Sequence, residues 1–146
     1  LAIRRLAVII ILLLTGCTYS DGVERATIHG RVVDQQGNPL SRVSIDADLA
    51  PDAHQPAPER LPSTGADGSF TISVARGWGG SKLFNLIPLA YSEPVSNDGS
   101  YKQVYLLLKR PTDAKMMLLT VPVRTNVPST QASHHPVLNL GDIFVP

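Results

Sequence analysis

The chain has 146 residues, with 12 prolines, 11 glycines, a single cysteine and a formal net charge of +1. That length supports one domain with a core of its own. The proline and glycine content argues against a helical bundle, the lone cysteine rules out an intramolecular disulfide, and near-neutrality without a basic cluster argues against nucleic acid as a partner.

The N-terminal stretch reads as an address. Two cations, Arg4 and Arg5, precede the apolar run 6–14 and then small residues, which is the anatomy of a signal peptide, expected to be helical. The run is far short of the roughly 20 apolar residues a spanning helix needs. Leu14-Thr15-Gly16-Cys17 resembles the lipobox of bacterial lipoproteins at all four positions. That resemblance implies cleavage between Gly16 and Cys17, acylation of the Cys17 thiol, and attachment to membrane lipid through the acyl chains. Thr18 differs from the aspartate that resembles an inner-membrane retention signal, so the expected location is the bacterial cell envelope, lipid-anchored, with the outer membrane facing the periplasm preferred. Residues 1–16 carry two of the 13 Lys and Arg and none of the 12 Asp and Glu, so their removal leaves a net charge of −1.

Residues 18–25 are polar and unpatterned and are expected to be a tether. From 26 onward the pattern is that of strands. Over 26–33, Ile28, Gly30 and Val32 share one face, with His29 and Arg31 on the other. Asp34-Gln-Gln-Gly-Asn-Pro39 is a turn. Over 42–49, Val43, Ile45, Ala47 and Leu49 alternate with Ser44, Asp46 and Asp48. Residues 50–63 carry four prolines and read as a surface loop. Asp67-Gly68 turns the chain into a strand over 70–74 with Phe70, Ile72 and Val74 inward. That strand is expected to end at Arg76-Gly77, with a bend at Trp78-Gly-Gly80. Further strands are expected over 83–90, where Pro88 marks an edge or a bulge, and over 101–109, 116–123 and 138–145.

Gly30-Arg-Val-Val-Asp34, Gly37-Asn-Pro-Leu40, Val43-Ser-Ile45, Thr64, Asp67-Gly-Ser-Phe70 and the closing 138–145 resemble the carboxypeptidase regulatory-like domain. The resemblance implies a transthyretin-like, Ig-like fold: all-β, a seven-stranded Greek-key β-sandwich over 26–146, behind the signal peptide (1–16) and the lipidated tether (17–25). The match is good over 26–74 and at the end, and weak over 77–136.

Chemistry-bearing residues are few. His134 and His135 are adjacent and point to opposite faces of an extended chain, and a zinc site needs three or four converging ligands. His29 and His54 read as surface residues, so no metal and no cofactor is expected. Asp46 and Asp48 could present two carboxylates to a ligand, but the further oxygens and glycine of a calcium loop are missing. No nucleophile elbow, Walker loop or His-Glu-x-x-His occurs. Transthyretin-like hydrolases end in a motif resembling Tyr-Arg-Gly-Ser, whereas this chain ends Gly141-Asp-Ile-Phe-Val-Pro146. No catalytic residue is therefore expected, and the chain reads as a non-enzymatic binding or scaffolding module contacting an envelope protein or a glycan. Loops 50–63 and 77–82 are the expected contact surfaces. An alternative is a glycan-binding module of a polysaccharide uptake or degradation system, using Trp78 with Tyr91, Tyr101 and Tyr105 as aromatic faces.

Overall fold

The computed structural model describes residues 17–51, 61–83, 87–96, 100–127 and 135–146. The expected signal peptide, with Leu14, Thr15 and Gly16 of the lipobox-like stretch, lies outside them, as do most of the expected loop 50–63 and the expected turn Asn97-Asp98-Gly99. Eight strands are described: β1 (Cys17–Val33), β2 (Ser44–Asp48), β3 (Ser69–Leu83), β4 (Ile87–Ser92), β5 (Gln103–Lys109), β6 (Met117–Pro122), β7 (Thr125–Val127) and β8 (Val137–Phe144). There is no helix among the described residues, and hence none long and apolar enough to cross a membrane. The all-β expectation is met. The strands hydrogen-bond in two sheets, in the orders β4-β3-β1-β8-β7 and β2-β5-β6.

The chain divides into two compact units, a smaller one of residues up to Glu24 with Gly77–Pro94, and a larger one of Arg25–Arg76 with Val95–Pro146. In the larger unit both sheets turn an apolar face inward. Ile28 and Val32 of β1, Phe70 of β3 and Leu138, Leu140 and Ile143 of β8 meet Ile45 of β2, Val104, Leu106 and Leu108 of β5 and Val121 of β6. These are the alternating positions of each strand, the alternation in β8 shifting by one residue between Leu140 and Ile143. Full burial of one such Val, Leu or Ile contributes about 1.5–3 kcal/mol.

The first and last strands pair in parallel, from Thr27 opposite Val137 to Val33 opposite Phe144. The register slips between His29 and Arg31, where β8 accommodates an extra residue. Gly141 there adopts φ +68° and donates its N–H to Asn139 Oδ1 at 2.9 Å, closing the bulge. A second close approach joins β1 to the turn before β3. Val32 N–H donates to the Gly68 carbonyl at 2.9 Å while the Leu40 N–H donates to Val32 at 2.9 Å. A side chain at position 30 would begin 2.7 Å from the Phe70 ring, so glycine there makes room for that ring.

Hydroxyl and carboxylate groups fix the turns. Buried Thr64 donates Oγ1–H to the Leu40 carbonyl at 2.7 Å and accepts the Val43 N–H at 3.0 Å, latching residues 40–43. Asp34 accepts the N–H groups of Gln36 and Asn38 and the Asn38 side-chain amide, which holds its carboxyl below the usual carboxylate range. Asp67 does the same with the Ser69 hydroxyl and N–H.

Four sequence expectations change. Residues 18–25, expected as a tether, belong to β1. A strand needs backbone partners more than alternating side chains, and β3 lies beside β1 in the sheet. The strand expected to stop at Arg76-Gly77 continues to Leu83. Gly79 and Gly80, read as a bend, pair with Ser92 and Tyr91 at φ 154° and 151°, values glycine reaches without steric cost. Eight strands are described where seven were expected, because the three-residue β7 is too short to show a period. In the expected turn 34–39, Gly37 takes a positive φ of +88°. The expected irregularity at Pro88 is present, since β4 ends its sheet and the ladder slips between Ser81 and Lys82, opposite that proline.

Gly68 and Gly37 separate two costs of a side chain. Both have positive φ, but a Cβ at 68 would lie 2.5 Å from the Val32 carbonyl oxygen, whereas one at 37 meets nothing within 4 Å. Gly37→Ala is expected to destabilise by about 1–2 kcal/mol from the left-handed backbone alone. Gly68→Ala should cost about 2–5 kcal/mol, because crowding adds to it. Urea unfolding of both variants checks the difference.

Candidate functional site

The alternation that buries Ile45 and Leu49 turns Asp46 and Asp48 to the outer face of the three-stranded sheet. Their cross-strand partners there are Leu107 and Tyr105. Neither carboxylate is fully solvated. Asp46 Oδ1 accepts the Ala47 N–H at 3.0 Å, and Asp48 Oδ1 accepts the Ala50 N–H at 3.1 Å. Burial pushes the Asp48 carboxyl up, opposed by the Ala50 and Leu49 N–H groups and by the charge of Arg76.

The hydrogen bond from Ala50 to Asp48 bends the chain as it leaves β2, and the bend forms one wall of a cavity. Leu49, Ala50 and Pro51 make that wall, and the chain entering β5 makes the other with Ser100, Tyr101, Lys102, Gln103 and Tyr105. Val95 completes the lining, and the volume is about 460 Å³, within the range of small-molecule pockets. Tyr101 is buried in the core, whereas Lys102 and Gln103 are exposed. Gln103 Nε2 donates to Tyr105 Oη at 2.6 Å, so the phenol accepts on that side and keeps its own hydrogen to donate elsewhere. Lys102 has no ion-pair partner among the described residues. The cavity thus combines an apolar wall, two tyrosines and several hydrogen-bond donors.

The other sequence candidates are placed separately. Trp78 lies in the smaller unit, where its indole covers Gly22: a Cβ at position 22 would fall 2.5 Å from the ring. Loop 77–82, expected as a contact surface, is strand β3. Cys17 is the first residue of β1. His29 Nδ1 lies 2.8 Å from Thr71 Oγ1, His135 is exposed, and His54 and His134 lie outside the described residues. No three His, Cys, Asp or Glu side chains converge among the described residues.

Tyr101 and Tyr105 were legible as aromatic candidates, but Lys102, Gln103 and the wall 49–51 were not. The available signal was the alternation of Gln103, Tyr105 and Leu107 with buried Val104, Leu106 and Leu108, which identifies the outer face of β5. What sequence lacked was the pairing that sets Tyr105 beside Asp48.

No family model matches this chain, and no curated protein matches it in sequence. Solved structures do. The dioxygenase domain of a dioxygenase carbohydrate-binding protein fusion from Streptomyces sp. SirexAA-E is 13% identical over 84% of this chain and 81% of that one, with a TM-score of 0.46. The 3-chlorocatechol 1,2-dioxygenase of Rhodococcus opacus 1CP is 14% identical over 86% of this chain and 61% of that one, with a TM-score of 0.43.

Two outcomes follow from this geometry. Asp48→Asn keeps an oxygen for the Ala50 N–H but removes the buried charge. A folded-state pKa above the unfolded value means that the wild type loses stability as pH rises from below the ordinary 3.8 through the raised value. The variant should therefore melt above the wild type at pH 7, with the gain disappearing below pH 3.8; melting curves across pH check this. Gly22→Ala should displace the indole of Trp78, the only tryptophan, and shift its fluorescence emission to the red as the ring meets water.

Proposed function

We propose that this chain is a lipid-anchored, non-enzymatic binding module of the bacterial cell envelope, and that it engages its ligand through the cavity between 49–51 and 100–105. The observation that carries the binding reading is the cavity's composition. Its apolar wall and tyrosines supply contact area, while Ser100, Lys102, Gln103 and Tyr105 supply orienting polar groups. Such a surface selects a ligand without supplying a nucleophile or a general base aimed at one.

The anchor rests on the lipobox resemblance at Leu14-Thr15-Gly16-Cys17, which leads to acylation of Cys17 and retention at the outer membrane, facing the periplasm. Two or more acyl chains hold a protein stably where one does not. The partner is an envelope protein or a glycan, and the tyrosines in the cavity favour the glycan.

Cys17→Ser is expected to abolish labelling by radioactive palmitate and to release a folded protein from membranes. Labelling that persists in the variant contradicts the anchor. Gln103→Trp, at an exposed position, fills the cavity mouth. Envelope components retained by the immobilised wild type should be lost from this variant, and unchanged retention contradicts the use of the cavity.

A further inference from the structure

Among the described residues the charge of the cavity lining is one-sided: Lys102 is the only ionised side chain of these that lines it, and its ammonium has no anion beside it. Asp48 does not line the cavity, although it stands cross-strand from Tyr105, and its Oδ1 is occupied by the Ala50 N–H. The neutral polar groups also lean toward donation. Tyr105 Oη already accepts from Gln103 Nε2, so its hydroxyl hydrogen is directed to another acceptor, and the second hydrogen of that amide is a further donor. A ligand complementary to this set carries one negative charge and several acceptor oxygens.

The rest of the lining limits the body that bears the charge. Pro51 and Tyr105 present flat apolar surfaces, with Leu49 and Val95 beside them, and these suit the C–H face of a pyranose ring. A phosphate monoester would bring about −1.5 to −2 charges against a single ammonium, leaving the excess uncompensated in a partly enclosed site. A carboxylate brings one. We infer that the cavity takes a sugar bearing a carboxylate, a uronic acid unit, with its anionic group on Lys102 and a ring or carboxyl oxygen on the Tyr105 hydroxyl. This inference rests on the binding reading above.

The test is calorimetric titration of the full chain in detergent with tetragalacturonate, its fully methyl-esterified counterpart, free galacturonate and acetate. The ester keeps the shape and removes the charge. The acidic tetramer should bind about tenfold or more tightly than the ester, as a charge-assisted hydrogen bond requires. Lys102→Gln should remove that advantage without changing ester binding, and Tyr105→Phe should weaken acid binding several-fold. Both substitutions are at positions with solvent contact, and unchanged melting temperatures confirm folding. Free galacturonate that binds with the same dependence on Lys102 supports the inference at the level of a single sugar.

Equal affinity for acid and ester, or no effect of Lys102→Gln, overturns the inference while leaving a binding module in place. Acetate that competes as well as galacturonate overturns it too, because the sugar is then not read. If no uronide binds at all the inference fails, and retention of envelope components by wild type but not Gln103→Trp shows whether the binding reading survives it.

Discussion

The larger unit depends on two missing side chains. At Gly30 the absent Cβ leaves room for the Phe70 ring, and at Gly68 it lets the turn approach the Val32 carbonyl to a distance no other residue permits. Between them, the N–H and carbonyl of Val32 are both engaged, by Gly68 and by Leu40. The backbone groups on that side of β1 are thereby satisfied by the chain's own turns. Phe70 then enters the core beside Ile28, Val32 and Ile143, and the two sheets have a common centre. The latch from Thr64 to Leu40 and Val43 holds the second turn in the same place, so that β2 starts in register and ends where Asp48 can bend it.

That bend connects fold to site. The cavity exists because the chain leaves β2 under the hold of the Asp48 carboxylate while β5 begins with a run of alternating polar and apolar residues. Its walls are therefore strand ends, and the polar groups on the β5 side are spaced by the pleat. Asp48 is held at some electrostatic cost, since burial disfavours its charge. It acts on the cavity by positioning Ala50 and Pro51, and the opposite wall carries the polar groups of Lys102, Gln103 and Tyr105.

Period-2 alternation made the core of the larger unit legible in the sequence. Ile28, Val32, Val43, Ile45 and Phe70 could be assigned to the interior because they recur at every second position of their strands. Asp67-Gly68 and Asp34 with Gly37 marked turns for the same local reasons that the structure shows. The failures came where a strand has no side-chain rhythm. Residues 18–25 and Trp78-Gly-Gly80 are strand because their backbones have partners, and a pairing between distant segments leaves no local trace. The cavity was invisible for a related reason: Leu49–Pro51 and 100–105 are adjacent only through the β2–β5 ladder, which no single window of sequence contains.

The central claim is that the domain works by contact through this cavity. The most direct measurement is the change in backbone amide NMR shifts as tetragalacturonate is added to the full chain in detergent. Shifts confined to Leu49, Ala50 and residues 100–105, saturating together, are the predicted result. Saturable shifts that fall instead around His29, Asn139 and Thr71 would contradict it.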